Sequence, residues 1–320
     1  MVGGVTMHDD MVVVDPETVR RLIAVQFPEW AHLPLLPLTT TGTVNSILRL
    51  GDELTVRLPL TPQEPREARA LLEAEAALSA EFAAVSPVPA PRPVALGRPG
   101  AGYPLPWSVQ TWLPGQDALA ANPASSTAFA TDLAGLLAAL RQAPVQGRSF
   151  SGAGRGGHLP DHDAWMQECF LKSEGLLDVP KLRAMWAELR TLPRVDADVM
   201  THGDLTPANV LVYDSRLAGV LDTGSFAPAD PALDLVGAWH LLDATGRELL
   251  RTRLGCSEVQ WRRGMAWAFQ QAMGLVWYYA ESNPAMAAWG SRSLERLMKA
   301  PDHAAQARAS SSGARSFNNR

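Results

Sequence analysis

The sequence predicts an α+β protein with two lobes, of which the first is built on a small antiparallel β-sheet and the second is larger and mainly helical. Short apolar runs separated by polar or Gly/Pro-rich turns occupy residues 35–59 and 93–112, as is typical of antiparallel strands. Beyond residue 112, apolar residues recur mainly at helical spacing. A chain of 320 residues is long enough to form two lobes.

In the small lobe, Asp15-Pro16 predicts the start of a helix that continues to Trp30, because Asp favours the N-cap and Pro the first helical position. Alternating apolar runs predict five strands, and an alanine-rich segment with one apolar side predicts a second helix. The predicted strands are residues 35–38, 46–50, 54–58, 93–96 and 107–112, and the second helix is residues 63–82. We assign residues 1–111 to this lobe.

The larger lobe, residues 112–300, is predicted to contain six helices. They span residues 125–141, 161–177, 179–192, 230–240, 257–280 and 284–299. A loop rich in Gly, Ser and Arg, residues 149–158, precedes the second of them. Residues 301–320 are rich in Ala, Ser, Arg and Asn, a composition that predicts a disordered tail.

Composition limits the possible partners. Hydrophobic residues make up 47% of the chain and charged residues 19%, which indicates a globular protein. The net charge of −5 argues against a nucleic-acid partner, since nucleic-acid-binding proteins carry a basic face. Two cysteines, Cys169 and Cys256, are too few for a disulfide framework or a metal cage. There is neither a signal-peptide pattern nor an apolar run of about 20 residues, so we expect a cytoplasmic protein with no membrane partner.

The stretch from Thr201 to Asp222 carries the strongest functional signal. Residues 210–213 and 217–221 are apolar and β-rich, and the turn-forming residues 214–216 lie between them, which predicts a hairpin. A hairpin brings its last residue back to its first. We therefore expect Asn209 and Asp222 to lie side by side, with Asp204 a loop's width away.

These three residue types suit metal-assisted phosphoryl transfer. Asn209 and Asp222 would supply two oxygen ligands, and Mg²⁺ beside substrate phosphates takes one or two protein groups. Asp204 would accept the proton of an attacking hydroxyl, as the Asp of Asp-x-x-x-x-Asn does in protein kinases, where a later Asp-x-Gly holds metal. Each residue alone fits a turn, a cap or a strand-end acid equally well, but together and in this order they favour the catalytic interpretation.

Three segments resemble those of a known family. They are His202-Gly203-Asp204-Leu205 followed by Asn209, Leu221-Asp222-Thr223-Gly224, and Ala229-Asp230-Pro231-Ala232-Leu233-Asp234-Leu235. Together they resemble the aminoglycoside and macrolide phosphotransferase family, a branch of the protein-kinase-like fold. The resemblance covers most of residues 35–240 and extends through residues 42–45, 56–59 and 107–109. It implies a two-lobed protein-kinase-like fold and a small-molecule kinase that uses Mg²⁺ with ATP or GTP.

On the nucleotide side, the resemblance assigns Arg57 the role that a lysine has in kinases, which is to grip the donor phosphates. No lysine precedes Lys172, so a lysine cannot do this in the small lobe. Arginine keeps the charge but has a planar fork where lysine has a compact ammonium, which leaves the choice between ATP and GTP open. Glu75 is expected to pair with Arg57, and Glu73 is the alternative.

The remaining nucleotide contacts are also implied by the resemblance. The turn of residues 39–45, with Thr41, Gly42 and Thr43, would lie over the phosphates, although a plain hairpin turn explains this sequence as well. The backbone from residue 109 to residue 112, including Gln110 and Trp112, would form the hinge that contacts the purine.

Acids that could meet a cationic acceptor lie in the larger lobe. The candidates are Asp161, Asp163, Asp230 and Glu281. Solvated helix faces explain most of such acids equally well, and Asp230 and Asp234 are expected to be mainly structural, tying a loop to the helix that follows. The acceptor site is therefore the least determined part of the sequence.

The resemblance implies transfer of the γ-phosphoryl group to a hydroxyl of an antibiotic, such as an aminoglycoside or a macrolide, and hence antibiotic resistance. A kinase of a metabolite alcohol, such as an amino sugar or a choline-like or homoserine-like compound, is the alternative. A nucleotide-binding pseudokinase ranks last because all three catalytic positions are filled. The expected partners are the acceptor and the nucleoside triphosphate, and the expected assembly is a monomer or a homodimer.

Overall fold

The computed structural model describes residues 12–38 and 45–299. In this part of the chain, the small lobe is built on a five-stranded antiparallel sheet. Its strands are β1 (Leu35–Pro37), β2 (Asn45–Leu50), β3 (Leu54–Pro59), β4 (Pro93–Gly97) and β5 (Trp107–Thr111). Their spatial order is β1-β2-β3-β5-β4, and Arg57 on β3 lies between Ile47 on β2 and Ser108 on β5. The predicted strands of this lobe are confirmed to within one or two residues.

The first helix, α1 (Pro16–Gln26), packs its apolar side on this sheet, and a 3₁₀ turn (Pro28–Trp30) follows it. Val19, Leu22 and Ile23 are buried in a small core around Trp107. Gly97 is required there, because a Cβ at this position would lie 2.0 Å from the Trp107 ring. This small core fixes the sheet on which Arg57 is carried.

The second helix, α2 (Pro65–Val85), contacts both lobes. Its Phe82 belongs to the core of the larger lobe and packs edge-on against His202 and Phe226. Arg148 of the larger lobe donates to Glu81 of the same helix at 3.0 Å. The end of α2 is therefore anchored in the larger lobe.

The larger lobe contains two small sheets and most of the helices. The strands are β6 (Gln116–Asp117), β7 (Val199–Thr201), β8 (Val210–Tyr213), β9 (Arg216–Val220) and β10 (Ala227–Ala229). The helices are α3 (Ala118–Ala121), α4 (Thr127–Gln142), α5 (Asp163–Lys172), α6 (Val179–Leu189), α7 (Val236–Leu241), α8 (Ala244–Leu254), α9 (Glu258–Tyr278) and α10 (Pro284–Met298). The helix α9 is buried along most of its length, since it packs against α5, α6, α7 and α10. No helix of the described segments is long and apolar enough to cross a bilayer.

The predicted hairpin is confirmed as β8 and β9, which pair antiparallel from Val210–Val220 to Tyr213–Arg216. Its turn residues Asp214 and Ser215 both have positive φ, at 49° and 60°, which is a conformation that Asp tolerates. At the open end, the Leu221 N–H donates to the Asn209 carbonyl at 2.8 Å. Asn209 and Asp222 therefore flank the open end of the hairpin.

Three predicted helices were wrong at their boundaries, of which the first ends at Gln26 rather than Trp30, and five strands and helices were missed. The helix expected from Asp230 begins only at Val236, because Asp230 pairs with Arg263 and a 3₁₀ turn comes first. The helix expected over residues 161–177 ends at Lys172, shortly before Gly175 at φ +79°. The missed elements are the short strands β6, β7 and β10 and the helices α3 and α8.

Candidate active site

A cavity of about 840 Å³ lies between the two lobes, beside the β8–β9 hairpin. Its lining comes from the small-lobe sheet, the segment that follows β5, the hairpin, and the helices α9 and α10. The side chains that the sequence singled out for phosphoryl transfer, Arg57, Asp204, Asn209 and Asp222, all belong to this lining. Residues that are up to 165 positions apart therefore share one cavity.

The loop that carries Asp204 is held through its backbone by a buried acid. Asp234 accepts hydrogen bonds from the His202 N–H at 2.8 Å and from the Gly203 N–H at 2.9 Å. Burial raises the pKa of the Asp234 carboxyl, while His202 and the two N–H bonds oppose the rise. As expected from the sequence, Asp234 ties this loop to the chain that follows it.

His202 joins this loop to the end of the hairpin. Its Nδ1 accepts a hydrogen bond from the Asp204 N–H at 3.2 Å, so the ring proton lies on Nε2. The Nε2 atom then donates to the Leu221 carbonyl at 2.8 Å. The His202 imidazole thus links the backbone of Asp204 to that of Leu221, the residue before Asp222.

The Asp204 carboxylate is held by three side chains. Oδ1 accepts from Arg155 Nη2 at 2.7 Å and from Gln271 Nε2 at 2.5 Å, and Oδ2 accepts from Asn209 Nδ2 at 3.1 Å. About a third of the side chain, 34%, remains exposed. Asp204 is therefore fixed in orientation and still open to the cavity.

A buried polar chain orients Gln271 in turn. Its Oε1 lies 3.0 Å from His240 Nε2, and His240 Nδ1 lies 3.1 Å from Ser293 Oγ on α10. Burial lowers the pKa of His240 to about 3, so the ring is neutral at neutral pH and can donate from one nitrogen while it accepts at the other. The chain from Ser293 to Asp204 links the C-terminal helix to the site.

Asn209 and Asp222 present different kinds of oxygen. The Asn209 nitrogen is used in hydrogen bonds to Asp204, so the amide offers its oxygen as a ligand atom. Asp222 adopts the left-handed conformation at φ 56° and keeps 55% of its side chain exposed. In the described part of the chain, no three His, Cys, Asp or Glu side chains cluster around a possible metal position.

Arg57 pairs with Asp222, at 3.3 Å between Nη2 and Oδ1. The pair expected between Arg57 and Glu75 is not among the ion pairs of the described residues, although the positive charge of Arg57 does act on Glu75. Burial raises the pKa of Glu75, Arg57 opposes the rise, and Asp222 adds to it. Glu73, the alternative, pairs with Arg69 on the same helix at 2.6 Å.

Gly224 permits a close approach between Glu75 on α2 and the loop that carries Asp222. A Cβ at Gly224 would lie 3.0 Å from the Glu75 Cβ, so a side chain there would push α2 away. The glycine of the Asp222-Thr223-Gly224 motif is therefore explained by a close approach, since its φ is not positive.

A family model described as "Phosphotransferase enzyme family" (APH) matches residues 40–267. This range covers more than half of the chain and contains strands β2 to β5 of the small lobe, the β8–β9 hairpin and the first ten residues of α9. The chain belongs to this family. It is accordingly a phosphotransferase, and the resemblance seen in the sequence is confirmed. No curated protein matched the sequence.

Solved structures of phosphotransferases share the fold. The GDP complex of wild-type aminoglycoside 2'-phosphotransferase-IIIa is 20% identical, with a TM-score of 0.66 over 89% of this chain and 97% of that chain. Macrolide 2'-phosphotransferase MphH from Brachybacterium faecium is also 20% identical, with a TM-score of 0.59 over 89% and 99%. A ternary complex of APH(2")-IIa with streptomycin and ATP is 17% identical, with a TM-score of 0.54 over 90% and 99%. The predicted kinase-like α+β fold is confirmed.

On the nucleotide side of this phosphotransferase, Gln110 and Trp112 line the cavity as expected, whereas Thr41, Gly42 and Thr43 lie outside the described residues. The N–H groups of Thr111 and Trp112 already donate to the carbonyls of Arg92 and Glu53. The N–H groups of Thr111 and Trp112 are therefore already used within the protein. The N–H of Leu113, the next residue, has no partner in the segments that the structure describes.

The four acids proposed for the acceptor do not line the cavity. Asp163 accepts from Trp186 at 2.9 Å and from Arg190 at 2.8 Å, and Asp230 is buried against Arg263 at 2.6 Å. Asp161 and Glu281 are exposed. Asp230 is structural, as the sequence suggested for it together with Asp234.

Aromatic and apolar side chains of α5, α9 and α10 and of the residue after α9 line one part of the cavity, which we call its acceptor half. They are Trp165, Leu275, Tyr278, Tyr279, Met286 and Trp289. Gln270 also lines this half, and its buried Oε1 has no hydrogen-bond partner among the described residues.

Arg155 and Gln271 were missed as site residues. Arg155 lies 49 positions before Asp204 and Gln271 lies 67 positions after it. The available signals were an arginine within a glycine-rich loop and a pair of glutamines inside an apolar helix. Both patterns are common on protein surfaces and in buried helices, so neither pointed to Asp204.

Proposed function

We propose that the protein transfers the γ-phosphoryl group of ATP or GTP to a hydroxyl of a small molecule, and that this acceptor is an antibiotic of the macrolide or aminoglycoside class. The observation that carries the proposal is the meeting of Asp204, Asn209 and Asp222 in one cavity shared by both lobes. In such transfer, catalysis consists mainly of positioning and of neutralising phosphate charge.

The donor phosphates would lie beside Arg57, Asn209 and Asp222. One carboxylate and one amide oxygen, with no cluster of three acids in the described chain, fit Mg²⁺, which keeps water and phosphate as its other ligands. When bound, Mg²⁺ would neutralise charge on the phosphate oxygens. Arg57 would then exchange its hydrogen bond to Asp222 for bonds to the α and β phosphates.

Asp204 would orient the acceptor hydroxyl and accept its proton as the new P–O bond forms. The carboxylate is pinned by Gln271 and Asn209, so its remaining exposed surface faces the cavity in one orientation. A fixed acceptor geometry lowers the entropic cost of bringing hydroxyl and phosphoryl together. On the opposite wall, the free N–H of Leu113 would contact the purine.

The acceptor half favours a macrolide over an aminoglycoside. A polycationic sugar needs several converging carboxylates, and within the described residues this half of the cavity offers Asp204 and an apolar, aromatic surface. A lactone with apolar faces can bury area against Trp165, Leu275 and Met286. A metabolite alcohol with a similar apolar body is the alternative that this wall also accommodates.

Nucleotide consumption across an acceptor panel tests this proposal. The purified protein is supplied with Mg²⁺ and either ATP or GTP, together with macrolides, aminoglycosides, amino sugars, choline and homoserine, and products are identified by mass. We expect phosphorylated macrolide and little product with aminoglycosides. Nucleotide binding without turnover on any acceptor would contradict the proposal and favour a pseudokinase.

A further inference from the structure

Arg155 is a second cation of the site, and no role has been assigned to it. It lies in the loop of residues 149–158, between α4 and α5, and its Nη2 donates to Asp204 Oδ1 at 2.7 Å. Its side chain is 29% exposed and lines the same cavity as Arg57. In the described chain, Arg57 and Arg155 are the two basic side chains of this lining.

The loop is built to hold Arg155 in place. The carbonyl of Gly156 accepts from the Asp230 N–H at 3.1 Å, and the carbonyl of Gly157 accepts from Arg263 Nη2 at 2.9 Å. Asp230 and Arg263 form an ion pair whose side chains are 1% and 2% exposed. Gly156 has φ +103°, and a Cβ there would lie 2.6 Å from the Ala229 Cβ. Two glycines and a buried ion pair therefore fix the backbone directly after Arg155.

The need to orient Asp204 does not explain why the loop holds Arg155 in a fixed position. Gln271 and Asn209 already donate to both of its carboxylate oxygens. Arg155 adds a positive charge and the donors of a planar guanidinium, of which one N–H is used on Asp204. Its other N–H groups have no protein partner in the described part of the chain. They are available to a ligand that sits next to Asp204.

The ligand group expected at this place is the phosphoryl group in transfer. The acceptor hydroxyl must approach Asp204, and the phosphorus must lie in line with that hydroxyl, so the equatorial phosphoryl oxygens come close to Asp204 and to its neighbour Arg155. Negative charge is spread over these oxygens in the transition state, and fixed donors aimed at them lower the barrier.

We propose that Arg155 donates hydrogen bonds to the γ-phosphoryl group during transfer, an inference that rests on the proposed function. The bond between phosphorus and the β-phosphate oxygen breaks, and a bond to the acceptor oxygen forms. The acceptor proton passes to Asp204, and the nucleoside diphosphate leaves. Arg155 gains and loses no proton, because its guanidinium stays charged throughout.

Steady-state kinetics of Arg155→Gln and Arg155→Lys test this role. For Arg155→Gln we expect kcat to fall by about 10²–10³-fold, with the KM of nucleotide and acceptor changed by less than about threefold. Arg155→Lys keeps the charge without the fork and should retain part of the rate, and guanidinium ion added to Arg155→Gln should restore some of it. A kcat of Arg155→Gln equal to wild type, or a change confined to the KM of the acceptor, overturns the proposal.

Arg190→Gln is the matched control. Arg190 pairs with Asp163 in the same lobe, and their side chains are 36% and 37% exposed. These values are similar to the 29% of Arg155 and the 34% of Asp204. Unlike Arg155 and Asp204, however, Arg190 and Asp163 do not line the cavity. The kcat of Arg190→Gln should stay within about twofold of wild type. Thermal unfolding of each variant shows whether it is folded. Should Arg155→Gln be unstable, the kcat of Arg155→Lys decides the outcome, and a wild-type value overturns the proposal.

A second measurement needs no acceptor. Aluminium fluoride mimics the transferring phosphoryl group, so it should tighten binding of Mg²⁺ with ADP or GDP by at least about tenfold in wild type and in Arg190→Gln, but not in Arg155→Gln. Equal tightening in Arg155→Gln overturns the role of Arg155 and leaves the proposed function intact. A wild-type protein that binds no nucleotide and phosphorylates no acceptor overturns both.

Discussion

Two arginine–aspartate pairs face the same cavity, and they are held very differently. Arg57 and Asp222 meet across the two lobes at 3.3 Å, and more than half of the Asp222 side chain is exposed, at 55%. Arg155 and Asp204 meet within the larger lobe at 2.7 Å, where Gln271 and Asn209 also hold the carboxylate. The first pair is loose and suited to exchanging partners when a nucleotide binds, whereas the second is fixed in advance.

Removing either carboxylate should have the largest effect. Asp204→Ala and Asp222→Ala are each expected to lower kcat by at least about 10³-fold, because one would lose the proposed proton acceptor and the other the proposed metal ligand. The two should differ in nucleotide affinity measured by calorimetry. Asp204→Ala should bind Mg²⁺ and nucleotide as wild type does, while Asp222→Ala should lose the Mg²⁺ dependence of binding. Full activity of Asp222→Ala would remove the metal assignment.

The loose pair should tolerate a conservative change. Arg57→Lys is expected to retain activity, with kcat/KM for the nucleotide lower by about tenfold, since lysine keeps the charge and loses the fork. Arg57→Ala should lose about 100-fold or more. Arg262→Lys on α9 is the control and should be neutral, because Arg262 pairs with the exposed Glu188 and neither side chain lines the cavity. Equal losses for Arg57→Lys and Arg57→Ala would show that geometry, rather than charge, matters at this position.

The polar chain behind the fixed pair should make stability depend on pH. The buried ring of His240 takes up a proton only near pH 3, whereas an unfolded histidine does so near its ordinary pKa of 6.5. Between about pH 3 and pH 6.5 the unfolded state therefore binds more protons than the folded state. The contribution of His240 to stability is fully present above pH 6.5. Below pH 6.5 the free energy of unfolding falls by roughly 1.4 kcal/mol per pH unit.

Urea unfolding of wild type and His240→Gln between pH 7 and pH 5 measures this contribution, which is the difference between the two slopes. Burial also lowers the pKa of His162, so the wild-type slope contains both histidines and the comparison isolates one. A slope of His240→Gln that equals the wild-type slope would contradict a neutral buried His240.

The contact between α2 and the Asp222 loop should show the smallest effect. Gly224→Ala places a methyl group 3.0 Å from the Glu75 Cβ, which we expect to cost about 1 kcal/mol in the free energy of unfolding and a few-fold in activity. Gly135→Ala, at an exposed helical position with no atom within 4 Å, is the matched control and should stabilise by about 0.5 kcal/mol. The free energy of unfolding of both variants, measured by chemical unfolding, separates the steric clash with Glu75 from the general effect of replacing a glycine by alanine.

Local sequence patterns predicted the position of Asp222 in the first pair, but not that of Arg155 in the second. The hairpin that brings Asn209 and Asp222 together is formed by a continuous stretch, so its geometry follows from strand and turn propensities. The Arg155 loop depends on the Asp230–Arg263 ion pair, which joins residues that are 33 positions apart and contributes no periodic pattern. Such contacts are set by packing of the whole lobe, which a single sequence does not display.

The same reasoning explains the elements that were misplaced. β7 and β10 have three residues each, too few for an alternation to stand out, although they form the sheet beside His202. The helix α8 did carry readable signals, since Asp243 caps its first turn by accepting from Gly246 and Gly255 ends it at φ +61°. Its boundaries were therefore within reach of the sequence, whereas those of the two short strands were not.

The anchoring of α2 has a consequence for control of the enzyme. Protein kinases are switched by moving the helix that carries the ion-pair glutamate toward or away from the active site. Here Phe82 is fully buried and packs against His202 and Phe226, and Glu75 lies close to Gly224 in the loop that carries Asp222. Moving the helix outward would therefore break packing in the core of the larger lobe. An outward movement of α2 would expose Phe82 to water and leave its place in the larger lobe empty, so this movement is energetically costly here.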